Sequence, residues 1–382
     1  LSSWEILVSE SQERMTVGIR PEDKENFENL AKLHEVETSE IGKFTDSGAF
    51  IVKHNQESVA YLPIEFLHNG CPQMNLKSEW SPPKHLPIKF PDLNHEEMGN
   101  MLCRLLSRPN VASKEWWVRS YDHEVIAQTV VKPFCGKNSD APSDAAVIAP
   151  IAGKTQGAVI SNGIMPRYSD IDAYAMAAAS VDEAVRNAVC VGVDLDMIAG
   201  LDNFCWPDPV QSSKTPDGKY KLSQLVRANQ AIDDICRIYR LPCISGKDSM
   251  KNDAVIDGKK ISVPPTILFS VLGNHKDVRK AVTSDFKNIG DIIYLLGETH
   301  QELGASELAF MLRDEQGGGI GGTVPHIDAE RNISLYKSIV GAMDKSLISS
   351  AHDCSDGGLA VSLAECCFGS DSGAIIEIEV LL

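Results

Sequence analysis

The densest grouping of chemically capable side chains is His352-Asp353-Cys354-Ser355-Asp356-Gly357-Gly358, followed by an apolar helical run over residues 360–367. Two carboxylates and a hydroxyl precede two glycines that let the chain turn tightly into a helix, whose first N–H groups favour an anion. Asp353 is placed to hold Mg²⁺, a hard cation that prefers carboxylate oxygen, with Ser355 against a phosphate. A plain Asp or Ser helix cap with a glycine turn fits the same letters, and local pattern does not choose between the two. Ile244-Ser245-Gly246-Lys247-Asp248-Ser249 resembles a phosphate loop after a strand, but the first glycine of a Walker motif is absent, and a solvated turn explains it as well. Glu183 and Asn187, four apart in an Ala-rich helix, share one face. With Asp144, in Ser143-Asp144-Ala145-Ala146-Val147, they could give oxygens to one Mg²⁺, although a helix-surface pair is the commoner meaning of that spacing. Arg186 reads as an ion-pair partner, His123 and His352 as satisfied loop residues, and the glycine run over 317–322 as a mobile loop tip.

The elements that must carry these groups follow from periodicity. Residues 1–8 read as a strand already under way, with 6–9 and 16–19 as strands and 21–34 as a helix opened by Pro21. Short strands flank Ser47-Gly48 and the turn His54-Asn55. Pro82, Pro83, Pro87 and Pro91 mark residues 81–94 as a linker. A second module carries helix signal over 96–106, a strand over 125–131 and the Ala-rich helix over 170–191. It continues with a strand over 196–201, a helix over 222–239 and a strand over 267–273. A third opens with a buried strand over 292–296, contains a helix over 333–343 and stops in an apolar strand over 374–382. The strand signals at both ends lead to the expectation of a piece cut from a longer chain.

With 382 residues, two or three domains are expected. The balance of 36 basic against 53 acidic residues, a formal charge of −17, excludes non-specific binding to nucleic acid or an anionic membrane, which need a positive field. A phosphorylated substrate stays open, because local amides, cations or a metal reverse the field in one pocket. The 10 cysteines are scattered, with no CxxC, as free thiols of a reducing compartment are. No signal peptide and no apolar run of roughly 18 residues is present, so a cytoplasmic location is expected.

Six segments in one order resemble a single family. They are Ser9-Glu10-Ser11-Gln12-Glu13-Arg14-Met15, Tyr121-Asp122-His123-Glu124 with Thr129-Val130-Val131-Lys132-Pro133, Asp144-Ala145-Ala146-Val147, Glu183-Ala184-Val185-Arg186-Asn187, Gly246-Lys247-Asp248-Ser249-Met250 and Asp353-Cys354-Ser355-Asp356-Gly357-Gly358-Leu359. Spread over nearly the whole chain, they look like the ATP-binding superfamily of aminoimidazole ribonucleotide synthetase, and within it the phosphoribosylformylglycinamidine synthases. The resemblance implies an α+β fold of tandem aminoimidazole-ribonucleotide-synthetase-like (PurM-like) N-terminal and C-terminal domains, present as a fragment. Residues 1–80 would be part of the first half's C-terminal-type domain and 81–94 a linker. Residues 95–275 would be the second half's N-terminal-type domain, and 285–382 its truncated C-terminal-type domain.

The implied activity is that of an ATP-dependent C–N ligase of purine biosynthesis. Formylglycinamide ribonucleotide, ATP and glutamine-derived ammonia give the amidine, ADP and phosphate through an iminophosphate. By matched position, the resemblance implies Glu10, Ser11, Gln12 and Ser249 against the ribonucleotide, and Ser143, Asp202, Gly246 and Ser355 against ATP or ADP. It implies Asp144, Glu183, Asn187 and Asp353 as Mg²⁺ ligands of an auxiliary nucleotide site. Lys247 stands where shorter forms carry a metal-binding Asn, and a protonated amine cannot ligate Mg²⁺. The loop over 200–209 follows the family pattern only loosely at Asp202. Catalytic residues are left unassigned, because the first N-terminal-type domain, with the family's catalytic His, is not matched. The same reasoning makes the expected behaviour binding of ADP with Mg²⁺ without amidine formation. Implied partners are a glutaminase subunit or domain supplying ammonia and the missing first-half domain. A small PurS-type subunit and pairing of N-terminal-type domains are left open. Two other readings compete: a structural module that binds ADP and Mg²⁺ without turnover, and another superfamily enzyme such as a thiamine-phosphate kinase or selenophosphate synthetase.

Overall fold

Residues 1–121, 123–370 and 372–378 are described by the computed structural model. Asp122 of the Tyr121–Glu124 segment and residues 379–382 of the expected last strand lie outside the described residues. The chain divides into two units, Leu1–Leu76 and Lys77–Leu382.

The first unit contains α1 (Ser3–Leu7), α2 (Lys24–Leu33), the hairpin β1 (Ala49–His54) and β2 (Glu57–Pro63), and α3 (Ile64–Asn69). Asn55 and Gln56 both take positive φ, the geometry a two-residue hairpin turn needs, and this sets His54 opposite Glu57. The expected strand at the start is instead a helix. Glu5 reaches back to accept from the Ser2 N–H at 2.7 Å, so a local helix cap overrides the apolar pattern. Residues 10–19 form neither helix nor strand. The helix expected over 21–34 begins as a single 3₁₀ turn at Pro21–Asp23 and continues as α2.

The second unit opens with α4 (His95–Leu106), α5 (Glu115–Val118), β3 (Thr129–Val131), β4 (Phe134–Cys135), β5 (Ala141–Pro142) and β6 (Ala146–Ile148). It continues through β7 (Gly157–Ile164), α6 (Ala173–Cys190), β8 (Ile198–Cys205), α7 (Gly218–Tyr239), β9 (Cys243–Ser249), β10 (Asp253–Ile256), β11 (Lys259–Ser262) and β12 (Thr266–His275). Helices α8 (Glu307–Gln316), α9 (Ala329–Asp344) and α10 (Gly358–Phe368) complete it. Six strands form one sheet in the order β3-β6-β7-β12-β8-β9, antiparallel except for the β8–β9 pair. Helices α6 and α7 cover one face, and Ile267, Phe269 and Val271 of β12 are fully buried beneath them. Each such side chain contributes about 2 kcal/mol of burial.

The inward face of β7 is unusually small: Gly157, Val159, Ser161 and Gly163 alternate with the outward Ile160, Asn162 and Ile164. Opposite stands the Ala-rich face of α6. A Cβ on Gly163 would sit 2.6 Å from Ala184 N and closer still to Ser180 O, so only glycine lets this helix approach its strand. The Ser161 hydroxyl donates to Ala184 O at 2.6 Å.

The apolar run over 292–296 does not become a strand, and Ile292 and Tyr294 are exposed. Residues 372–378 also lack strand structure. The strand signal over 125–131 is realised only at β3, and that over 196–201 shifts to β8. The proline-rich passage carries neither helix nor strand, yet it holds the glycine run. Gly319 N–H donates to Pro87 O at 3.2 Å and Gly321 N–H to Leu86 O at 3.0 Å, so 317–322 is a docked loop rather than a mobile tip. Among the described residues, no helix is long and apolar enough to cross a membrane.

Candidate functional site

Strand β6 pairs with β7 only as far as Ala146 opposite Ile160. The last β7 residues therefore present main-chain groups without a strand neighbour on that side, and α6 side chains take them. Asn187 Nδ2 donates to Asn162 O at 2.9 Å, and the Ile164 N–H donates to Glu183 Oε2 at 2.7 Å. The helical pair Glu183 and Asn187 thus turns toward the end of the sheet rather than lying on an open helix surface. Immediately before β6, the same early stop leaves Ser143 and Asp144 in a loop beside them.

The third contribution comes from the turn into α10. Gly357, at φ 85°, caps that helix, and the Gly358 N–H donates to Ser355 O at 2.9 Å. The loop before it returns to Asp144: Asp353 N–H donates to Asp144 Oδ1 at 3.0 Å, and His352 Nδ1 lies 2.8 Å from the same oxygen. Ser362 Oγ holds the loop by donating to Asp353 O at 2.9 Å.

These segments enclose a cleft of about 190 Å³ lined by Ser143, Asp144, Asn187, His352, Asp353, Ser355, Asp356 and Glu365, with Asn110, Val111, Pro142 and Ser362. No Lys or Arg is among the lining residues. Arg186 lies behind it, donating to Asp182 Oδ2 at 2.5 Å and to Asp353 Oδ2 at 3.2 Å, which is the ion-pair role its sequence position suggested. Burial raises the Asp144 pKa. Burial, then the Asp353 charge, pushes Glu183 up to about 8, and burial, then Glu307, pushes Asp356 up to about 6. Burial also raises the Cys354 thiol, which makes it a poor nucleophile. The acidic groups here exceed their cationic neighbours.

Three polar atoms of the lining are buried without a hydrogen-bond partner: Ser143 Oγ, Asp144 Oδ2 and Asn187 Oδ1. Leaving such atoms unmet costs about 1–3 kcal/mol each. Oxygen donors in an acidic lining that holds no Lys or Arg suit a hard divalent ion. Among the described residues, Asp144, His352 and Asp353 also form a group whose potential ligand atoms lie within 4.8 Å of one another. The donor set fits Mg²⁺.

Other expected site residues lie elsewhere. Asp202 and Gly246 are cross-strand neighbours on β8 and β9, at the sheet edge opposite β3 and β6, and are absent from the cleft. A side chain at Gly246 would collide with Asp202 Oδ1. Ser249, at the end of β9, accepts from Lys247 Nζ through its hydroxyl. Glu10, Ser11 and Gln12 are exposed in the loop after α1, where Arg14 Nε donates to Ser11 O at 3.0 Å and Gln12 Nε2 to Glu10 O at 2.9 Å. Sequence reasoning missed His352 and Glu365. His352 reads alone as an ordinary loop residue, and only the fold brings Asp144 to its Nδ1 and Glu365 to its Nε2. Burial opposes its protonation, but the hydrogen bonds to Asp144 and Glu365 overcome this and push its pKa up to about 11.

Most of the mixed sheet and the loops that carry the oxygen-rich cleft fall within regions that match the AIR synthase related proteins. Residues 142–273 match the AIR synthase related protein, N-terminal domain, and residues 1–55 and 288–381 match the AIR synthase related protein, C-terminal domain. The chain is 32% identical over 385 residues to "Phosphoribosylformylglycinamidine synthase subunit PurL" of Methanocaldococcus jannaschii, covering 99% of this chain and 49% of that protein. The same-named protein of Ignicoccus hospitalis is 34% identical over 380 residues, covering 99% and 50%. Among solved structures, "T. maritima PurL complexed with FGAR", from Thermotoga maritima, superposes with a TM-score of 0.53 at 20% identity, covering 96% of this chain and 48% of that one. At that identity the likeness concerns the fold alone. The chain carries matches to both domains of the AIR synthase related proteins and is similar over nearly its whole length to these phosphoribosylformylglycinamidine synthase subunits, and it spans about half the length of the curated relatives it matches.

Proposed function

We propose that the cleft binds Mg²⁺ together with the phosphates of ADP or ATP, and that the chain serves the ATP-dependent synthesis of an amidine from formylglycinamide ribonucleotide. The observation that carries the first part is the set of buried, unpartnered oxygens of Ser143, Asp144 and Asn187 in one acidic cleft. Asp144, Asn187 and Asp353 would hold the cation, with Glu183 alongside. When bound, Mg²⁺ supplies the positive charge that offsets phosphate oxygens where no Lys or Arg is present. The hydroxyls of Ser143 and Ser355 donate to phosphate, and Arg186 holds the Asp353 carboxylate from behind.

The second part rests on the names of the relatives. In that reaction the amide oxygen of the ribonucleotide takes the terminal phosphoryl group of ATP, releasing ADP. Ammonia then adds to the activated carbon, and phosphate leaves with the oxygen. Glu10, Ser11, Gln12 and Ser249 are proposed to contact the ribonucleotide, and Asp202 with Gly246 a nucleotide at the opposite sheet edge. The domain boundaries proposed from the resemblance belong to this reading, as do a cytoplasmic setting and a glutaminase partner supplying ammonia. One observation favours a structural role for the cleft itself. It lies where the loop before β6 meets the loop before α10, so a bound nucleotide and cation would tie those two segments together.

Calorimetric titration of the protein with Mg²⁺, then with ADP at saturating Mg²⁺, tests the first part. Heat of binding in both steps is expected, with a lower Mg²⁺ affinity in Asp353→Asn. Absence of heat and of any thermal shift at millimolar nucleotide would remove the cleft from consideration.

A further inference from the structure

We infer that His352 is a positioning residue that fixes which oxygen of Asp144 is offered to the cation. The inference rests on the reading of the cleft as a cation site and goes beyond it. The two Asp144 oxygens are in different situations. Oδ1 has His352 Nδ1 at 2.8 Å and receives the Asp353 N–H at 3.0 Å; Oδ2 is buried and has no partner. The Asp144 side chain is 1% exposed, so water does not equalise the two.

The imidazole is in turn held from its far side, with Nε2 3.0 Å from Glu365 Oε2 on α10. Glu365, His352 and Asp144 form a carboxylate–imidazole–carboxylate chain from the helix to the loop before β6. Flanked by a carboxylate at each nitrogen, the ring donates at both. The N–H aimed at Oδ1 occupies that oxygen, and rotation of the carboxylate would break two hydrogen bonds inside the protein. Oδ2 is therefore the oxygen left without a partner, in a cleft also lined by Asn187 and Ser143, whose Oδ1 and Oγ are buried without partners. Outer partners that orient ligands in this way typically change metal affinity by about 10–100-fold when removed.

The two amide substitutions separate this role from a merely structural one. In His352→Asn the side-chain amide can occupy the place of Nδ1 and still donate to Asp144. In His352→Gln it reaches the place of Nε2, toward Glu365, and leaves Oδ1 without that donor. Each protein is titrated with Mn²⁺, free cation being read by electron paramagnetic resonance, and thermal unfolding is recorded in parallel. The inference expects His352→Asn within about 3-fold of the parent, and His352→Gln and His352→Ala weaker by about 10–100-fold. Equal affinities for the Asn and Gln proteins, or an unchanged affinity in His352→Ala, would overturn it. If the parent protein binds no Mn²⁺, the cation reading itself fails, and that result is distinct from either outcome among the variants. Unfolding midpoints that fall alike in the Asn and Gln proteins while only Gln loses affinity support positioning over general damage.

Discussion

Asp182 shows what a single buried carboxylate does for this molecule. Fully buried on α6, it accepts from Arg186, from Asn332 Nδ2 at 2.9 Å and Tyr336 OH at 2.9 Å on α9, and from Tyr239 OH on α7. It joins three helices and holds the guanidinium that reaches Asp353. Asp182→Ala leaves all four donors unmet and is expected to destabilise the protein by about 3–5 kcal/mol. A thermal-unfolding midpoint within a degree of the parent would refute that. His275 gives a pH-dependent counterpart. Burial lowers its pKa; Nε2 lies 3.0 Å from Val191 O, and Nδ1 accepts the Asp277 N–H at 3.2 Å, as a neutral ring does. Because the unfolded chain protonates this ring more readily, its contribution is complete above the ordinary imidazole pKa of about 6.5 and is lost as pH falls below it. The parent should lose more stability between pH 7 and 5 than His275→Gln; parallel pH profiles would contradict this. At this scale Asp144, Asn187 and Asp353, which line the cleft, were singled out as candidates by residue type and by the resemblance. His352 and Glu365 were not, because the contact that defines His352 joins residues 208 positions apart.

The elements that carry the site were legible where periodicity was long. The helix expected over 170–191 is α6, that over 222–239 lies within α7, and the strand over 267–273 lies within β12. Short apolar runs misled: Ile6 and Leu7 close the helix α1 instead of opening a strand, and 292–296 forms no strand. What no local pattern carried was how far β6 extends along β7, and that stop opens room for Glu183 and Asn187. The spacing of α6 from β7 is set by Gly163. Gly163→Ala would press a methyl group on Ser180 O and Ala184 N, costing about 1–3 kcal/mol and shifting the helix that carries both side chains. Urea denaturation should show the loss, and Mn²⁺ titration a weaker site. Unchanged stability and affinity would mean that the approach is not tight.

For the whole molecule, a formal charge of −17 and an acidic cleft make sense together with a phosphate ligand only if a cation mediates between them. Composition argues against non-specific binding to nucleic acid and leaves a phosphorylated ligand open; the site proposed for it is at the junction of the loops before β6 and α10. The most direct measurement is anomalous diffraction at the manganese edge from crystals soaked with Mn²⁺ and ADP. A peak is expected about 2.1 Å from Asp144 Oδ2, Asn187 Oδ1 and an Asp353 oxygen, with phosphate density beside Ser143 and Ser355. Manganese bound only elsewhere, with those oxygens still unpartnered, would contradict it.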